Sequence, residues 1–112
     1  MSPTQRTMKE YRSRGLPAGL VEHFNVFGNC RQDLFGFIDV VVLDVERGIG
    51  GVQVTGGNNG NARLNKIMTA RHKIASQWLQ AGGWLEVHDW VKVKGRYTCN
   101  IHPVTLGMMV FA

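Results

Sequence analysis

The apolar and polar positions of the chain change period several times, and each change marks an element. Ser2-Pro3-Thr4-Gln5 reads as a helix start: Ser2 caps, Pro3 suits the first helical position, and Gln5 completes a capping box. That helix is expected to end near Arg14, where Gly15 supplies a left-handed stop. Leu16 to Phe27 is apolar with Glu22 embedded and reads as a first strand; Cys30 to Gly36 reads as a loop. Phe37-Ile38-Asp39-Val40-Val41-Val42-Leu43 is nearly continuous in apolar, mostly β-branched residues, the pattern of a central strand covered on both faces. Arg47-Gly48 turns the chain into a third strand, Ile49 to Thr55, and Gly56 to Asn61 is a run of helix breakers. From Ala62 to Ala81 the period becomes helical. Leu64, Ile67, Ile74 and Trp78 fall on one face, and Lys66, Thr69, Lys73 and Gln80 on another. Gly82-Gly83 stops that helix, and Trp84 to Trp90 and Tyr97 to Val104 form strands joined through Lys94-Gly95.

The order is thus helix, three strands, helix, two strands: an α/β chain. Its 112 residues suit one domain, 1–112, and 44% apolar residues suffice for a core without staples. Cys30 and Cys99 are too few for a disulfide framework and match no zinc spacing. The start Met-Ser-Pro-Thr-Gln-Arg has no apolar signal core, and no apolar run approaches the ~20 residues of a membrane span, so the expectation is a soluble, cytoplasmic protein.

Charge adds a direction. The formal net charge is +5, which favours an anionic partner. Its distribution says more. No acidic residue lies between Glu46 and Glu86, a stretch that holds Arg47, Arg63, Lys66, Arg71 and Lys73, whereas Glu10, Glu22, Asp33, Asp39, Asp44 and Glu46 precede it. Acid gathered in one segment and base in the next is what a metal site beside a phosphate-binding surface needs.

A carboxylate inside an apolar strand is costly to bury without compensation. Asp39, between Ile38 and Val40, is one such residue, and Glu22, between Val21 and His23, is another. In the third strand Gln53 and Thr55 are two apart and project to one face. Three neighbouring strands can therefore converge Glu22, Asp39, Gln53 and Thr55, an oxygen set that suits Mg²⁺.

With these residues in place, the sequence resembles the PD-(D/E)XK nuclease superfamily, closest to its small phage, VRR-NUC and Holliday-junction-resolvase-like members. Glu22 stands as the early Glu, Gly36-Phe37-Ile38-Asp39 as the Gly-x-x-Asp, and Gln53-Val54-Thr55 where the family has Glu-x-Lys. The resemblance runs from Ser2 to about Trp90. It implies a restriction-endonuclease-like αβββαβ core, with a central mixed sheet flanked by helices and a C-terminal hairpin added. It also implies a nuclease that hydrolyses DNA phosphodiesters with Mg²⁺ or Mn²⁺ held by Glu22, Asp39, the Gln53 side chain and the Val54 carbonyl. DNA in branched or single-stranded form is the implied partner, with Arg31, Arg63, Lys66 and Lys73 on its phosphates, and a homodimer is the implied assembly. Two departures matter. Gln53 is uncharged, and Thr55 replaces the lysine that would orient the attacking water, leaving Lys66 as the substitute cation. A binding module weakened in catalysis on the same fold is the alternative.

Several signals keep two readings. Asp39 is a metal ligand or a structural carboxylate paired with an arginine such as Arg31. Asp33, beside Arg31, is an ion-pair partner or a supporting residue of the metal site. Gly56 to Asn61 is an anion nest leading into a helix or a plain turn. Trp84, Trp90 and Tyr97 stack on bases or pack on the sheet. His88, Cys99 and His102 would need a fourth ligand to hold zinc.

Overall fold

The computed structural model describes residues 1–110, leaving out the side chains of Phe24, Asn25 and Arg31. Phe111 and Ala112, the end of the apolar tail that the sequence leaves between core cover and dimer contact, lie outside the described residues. In chain order the elements are α1 (Pro3–Ser13), β1 (Ala18–Leu20), β2 (His23–Asn25), β3 (Cys30–Gln32), β4 (Val40–Asp44), β5 (Gly48–Gly56), α2 (Gly60–Thr69), α3 (His72–Gln80), β6 (Trp84–Val93) and β7 (Arg96–Val104), followed by a short 3₁₀ turn.

Helix α1 starts and stops as its sequence dictates. The Ser2 hydroxyl accepts the Gln5 amide at 3.2 Å, and the Gln5 side chain accepts the Ser2 amide at 2.8 Å. At the other end Gly15 has φ +77°, and the Leu16 and Gly15 amides return to the Tyr11 and Arg12 carbonyls, a Schellman stop.

The sheet is mixed, in the order β1-β4-β5-β6-β7, with β5 and β6 parallel and the other neighbours antiparallel. The β5–β6 crossover carries α2 and α3, which cover one face with Phe37, Ile38, Ile67, Ala75, Leu85, Val87 and Val104 at their base. Helix α1 covers the other over Tyr11, Ala18, Val40, Val42 and Val52. Chains that bury a sheet on both sides reach this three-layer arrangement. The close approach of Trp84 to β5 requires glycine: a Cβ on Gly50 would lie 2.0 Å from the indole ring. Among the described residues no helix is long and apolar enough to cross a membrane.

Strand β6 carries polar side chains to both faces. Toward α1, Trp90 Nε1 donates to Thr7 Oγ1 (2.9 Å), Thr7 Oγ1 meets His88 Nδ1 (3.1 Å), His88 Nε2 meets the Tyr11 hydroxyl (3.1 Å), and that hydroxyl donates to Glu86 Oε1 at 2.5 Å. The arrangement that uses each hydrogen once has Thr7 donating to Nδ1 and the imidazole hydrogen on Nε2. Burial alone would raise the Glu86 carboxyl; the neighbouring His88 ring, the hydrogen bond from Tyr11 and the Arg47 charge outweigh it and hold Glu86 below its usual value. Burial and the Glu86 bond push the Tyr11 phenol up, so it stays protonated.

Four expectations are corrected here. Leu16–Phe27 is not one strand. The edge strand β1 ends at Leu20, the Val21 amide makes a last bond to the Asp39 carbonyl (2.9 Å), and the chain then leaves the sheet for a separate β2–β3 hairpin. Val26 and Phe27, which prolong the apolar run, sit exposed at that hairpin's tip. Part of the expected 30–36 loop is thereby strand β3, and the central strand begins at Val40, after an isolated Leu34–Ile38 bridge. The single helix expected over Ala62–Ala81 begins at Gly60 and is broken at Ala70-Arg71, where both amides turn to the Lys66 carbonyl. Ile67 and Ile74, one on each side, are seven residues apart and both reach the core, so the apolar period runs through the break.

Candidate metal centre and adjoining groove

Asp39 lies at the entrance to β4, 5% exposed, with its backbone held on both sides: its carbonyl accepts from Val21 and its amide donates to Val52 at 2.9 Å. Each of those neighbours brings a candidate residue. Glu22 follows Val21. The Leu34–Ile38 bridge makes Asp33 and Asp39 the next residues outward on the two arms of that turn. The Val40–Val52 register makes Asp39 and Gln53 the next pair across β4 and β5. One oxygen from each of Glu22, Asp33 and Asp39 lies within 4.8 Å of the others.

Clustered carboxylates repel, and burial removes the water that would screen them. Burial, a hydrogen bond that the protonated Asp39 donates to Asp33, and the Asp33 and Glu22 charges push Asp39 up to about 8, against the Val54 amide, which donates to Asp39 Oδ2 at 2.8 Å and favours the charged form. Gln53 is 4% exposed and its Oε1 has no hydrogen-bond partner. Leaving a buried acceptor unmatched costs about 1–3 kcal/mol. An orphaned oxygen beside three carboxyls is a donor set that fits a hard divalent cation such as Mg²⁺.

The other expected residues fall out as follows. Val54, expected to offer its carbonyl, meets Asp39 through its N–H. Thr55 lies on the face of Gln53 but further along β5, level with Asp89 on β6. Lys66 lines a 530 Å³ cavity together with Asp33, Gly36 and Arg71. Lys73 lines an adjoining 660 Å³ cavity that shares Phe35, Gly36 and Arg71 with the first. Arg63 is exposed on α2 and lines neither cavity. The Arg31 side chain, expected on phosphate or paired with Asp39, lies outside the described residues.

The sequence leaves Asp33 between two roles, offers Gly36 only as the start of Gly-x-x-Asp, and gives no groove role to Arg71 or Phe35. Arg71 was visible only as one base in the acid-free stretch, and its place at the groove depends on the helix break. Gly36 has φ +81°, and a Cβ there would lie 2.7 Å from Arg71 Nε, so the guanidinium rests where only glycine leaves space.

The remaining signals resolve as packing. The Gly56–Asn61 segment is no open anion nest, since Asp89 Oδ2 already accepts the Gly60 amide at 3.0 Å. His88 faces α1, while His102 lies on the opposite face near Gly60, and the one group among the described residues with metal-binding spacing is Glu22, Asp33 and Asp39. Trp84 and Trp90 bond to Gly48 and Thr7, and Tyr97 lies under the Arg6 guanidinium. No family model matches the chain, and no curated protein or solved structure matches it significantly.

Proposed function

We propose that the chain is a divalent-metal-dependent nuclease that hydrolyses DNA phosphodiesters on a restriction-endonuclease-like αβββαβ core. The observation that carries this reading is the cluster of three carboxyls within 4.8 Å beside the orphaned Gln53 Oε1. The topology supports it. One helix, the three antiparallel strands β1, β4 and β5, a helical crossover and the parallel strand β6 follow in the order that the resemblance implies.

In this reading Glu22, Asp33, Asp39 and Gln53 hold Mg²⁺ or Mn²⁺. A cation bound there lowers the pKa of a water and polarises the phosphodiester. The proton kept by Asp39 leaves when the site is filled, since ligating carboxylates are ionised. The Val54 amide keeps Asp39 aimed. Lys66, which lines the same cavity as Asp33, offsets charge building on the phosphate in place of the lysine absent at Thr55.

The neutral Gln53 and Thr55 favour a second reading, a nucleic-acid-binding module on the same frame. Cleavage of end-labelled single-stranded, duplex and four-way-junction DNA in Mg²⁺, Mn²⁺ and EDTA separates the two. Metal-dependent cutting that disappears in Asp39→Ala is the expected result. Salt-sensitive binding without cutting would leave the binding module.

A further inference from the structure

Phe35 has φ +57° and is followed by Gly36 at φ +81°. The Phe37 amide closes this turn onto the Leu34 carbonyl at 3.2 Å. Two successive left-handed residues suit Asn-Gly, and a bulky aromatic in the first position is strained. The fold gains little from it, because the ring stays 48% exposed and makes an edge contact with Trp78 at 6.3 Å between centroids. Strain held at an exposed position is a mark of function. The ring forms part of the wall of both cavities.

The same wall carries Arg71. Its Nε is buried without a partner, and it makes no ion pair with Asp33, although both line one cavity. Lys66 and Lys73 line the same cavities, and among the described residues the single acidic one lining either cavity is Asp33, a member of the carboxyl cluster. An exposed aromatic beside unneutralised cations is the chemistry that receives a base and its phosphates.

We infer that this groove takes an unpaired nucleic-acid strand, with a base stacked on Phe35 and the backbone held by Arg71 and Lys73, and leads it to the carboxyl cluster. The inference rests on the nuclease reading for the strand's destination, not for its binding. Paired bases are stacked on each other and offer a protein only their edges, so a duplex cannot use Phe35 in this way.

The test is fluorescence anisotropy in EDTA with labelled oligothymidylate and oligouridylate of roughly 15 nucleotides and a duplex of equal length. Wild type is expected to bind the single strands more tightly than the duplex, and the two single strands identify DNA or RNA. Phe35→Asn, a residue that tolerates the left-handed turn, is expected to keep the fold by circular dichroism and weaken single-strand binding by about 5- to 150-fold, with duplex affinity unchanged. Arg71→Met should weaken every ligand and lower the salt slope by about one. Unchanged single-strand affinity in Phe35→Asn, equal binding of duplex and single strand, or no binding at all overturns the inference. Asp39→Asn separates it from the nuclease reading. Groove-dependent binding without any metal-dependent cutting sinks the nuclease alone, and cutting with a groove-independent affinity sinks the groove alone.

Discussion

The Val54 amide donates to Asp39 Oδ2 at 2.8 Å, so the buried carboxyl at the entrance to β4 is aimed by the backbone of β5 rather than by another side chain. An amide oxygen can accept the same bond. Asp39→Asn is therefore expected to fold normally and to bind DNA in EDTA as wild type does, while metal-dependent cleavage falls to background. Retained cleavage would remove Asp39 from the chemistry.

The pH dependence of stability follows from the same residue. Asp39 is raised from 3.8 to about 8, so the folded protein keeps a proton that the unfolded chain has released. Its contribution is full below the lower value and is lost as pH rises toward the upper one. Tm in EDTA should fall across that window, Asp39→Asn should flatten the slope, and Mg²⁺ should restore Tm at the alkaline end. A flat wild-type profile contradicts this. Glu86, held low, acts in the opposite sense, and its contribution is lost as pH falls below the ordinary carboxylate range.

Gln53→Glu places a fourth carboxyl beside the three already clustered. Without metal the added repulsion should lower Tm, and with metal the added charge should tighten Mg²⁺ binding roughly tenfold. Calorimetric titration and thermal melts read the two effects. Equal Mg²⁺ affinity in the two proteins would place Gln53 outside the ligand set.

Lys66→Met tests the displaced cation. Loss of one charge-stabilising group should reduce kcat by about 10²- to 10³-fold. Single-turnover cleavage at saturating protein isolates that step from binding. A change confined to affinity would assign Lys66 to the groove alone.

Tyr11→Phe removes the hydroxyl between His88 and Glu86. Leaving those buried partners short of a hydrogen bond should cost about 1–3 kcal/mol in urea unfolding. An unchanged midpoint would mean that water replaces the hydroxyl.

The parts of the fold legible in the sequence were those set by local chemistry: the Ser2–Gln5 cap and Gly15 stop of α1, strand β5, and the β6–β7 hairpin turning at Lys94-Gly95. What escaped depends on distant partners. Nothing in an apolar run says that Val21 will make the last bond to the sheet and Phe27 will reach solvent. The α2–α3 break contains neither Gly nor Pro, and the seven-residue step from Ile67 to Ile74 hides it. In the candidate site Glu22, Asp39 and Gln53 could be picked out because a polar residue in an apolar run is conspicuous, although Glu22 and Asp39 turn out to lie just outside the strands. Asp33 was ambiguous beside Arg31 because its place next to Asp39 follows from the Leu34–Ile38 bridge, which no local pattern announces.

The bond from Tyr11 to Glu86 spans 75 residues. At a synthesis rate of about 5–20 residues per second, the first helix waits on the order of 4–15 s for the strand that holds it. Its stop and cap are complete at once, whereas its buried Thr7 and Tyr11 have no partner on β6 until the crossover has been made. During that interval Met8 and Tyr11 can pack only on the apolar side chains of β1, β4 and β5, so the helix is held by apolar contact before its hydrogen-bonded partners exist.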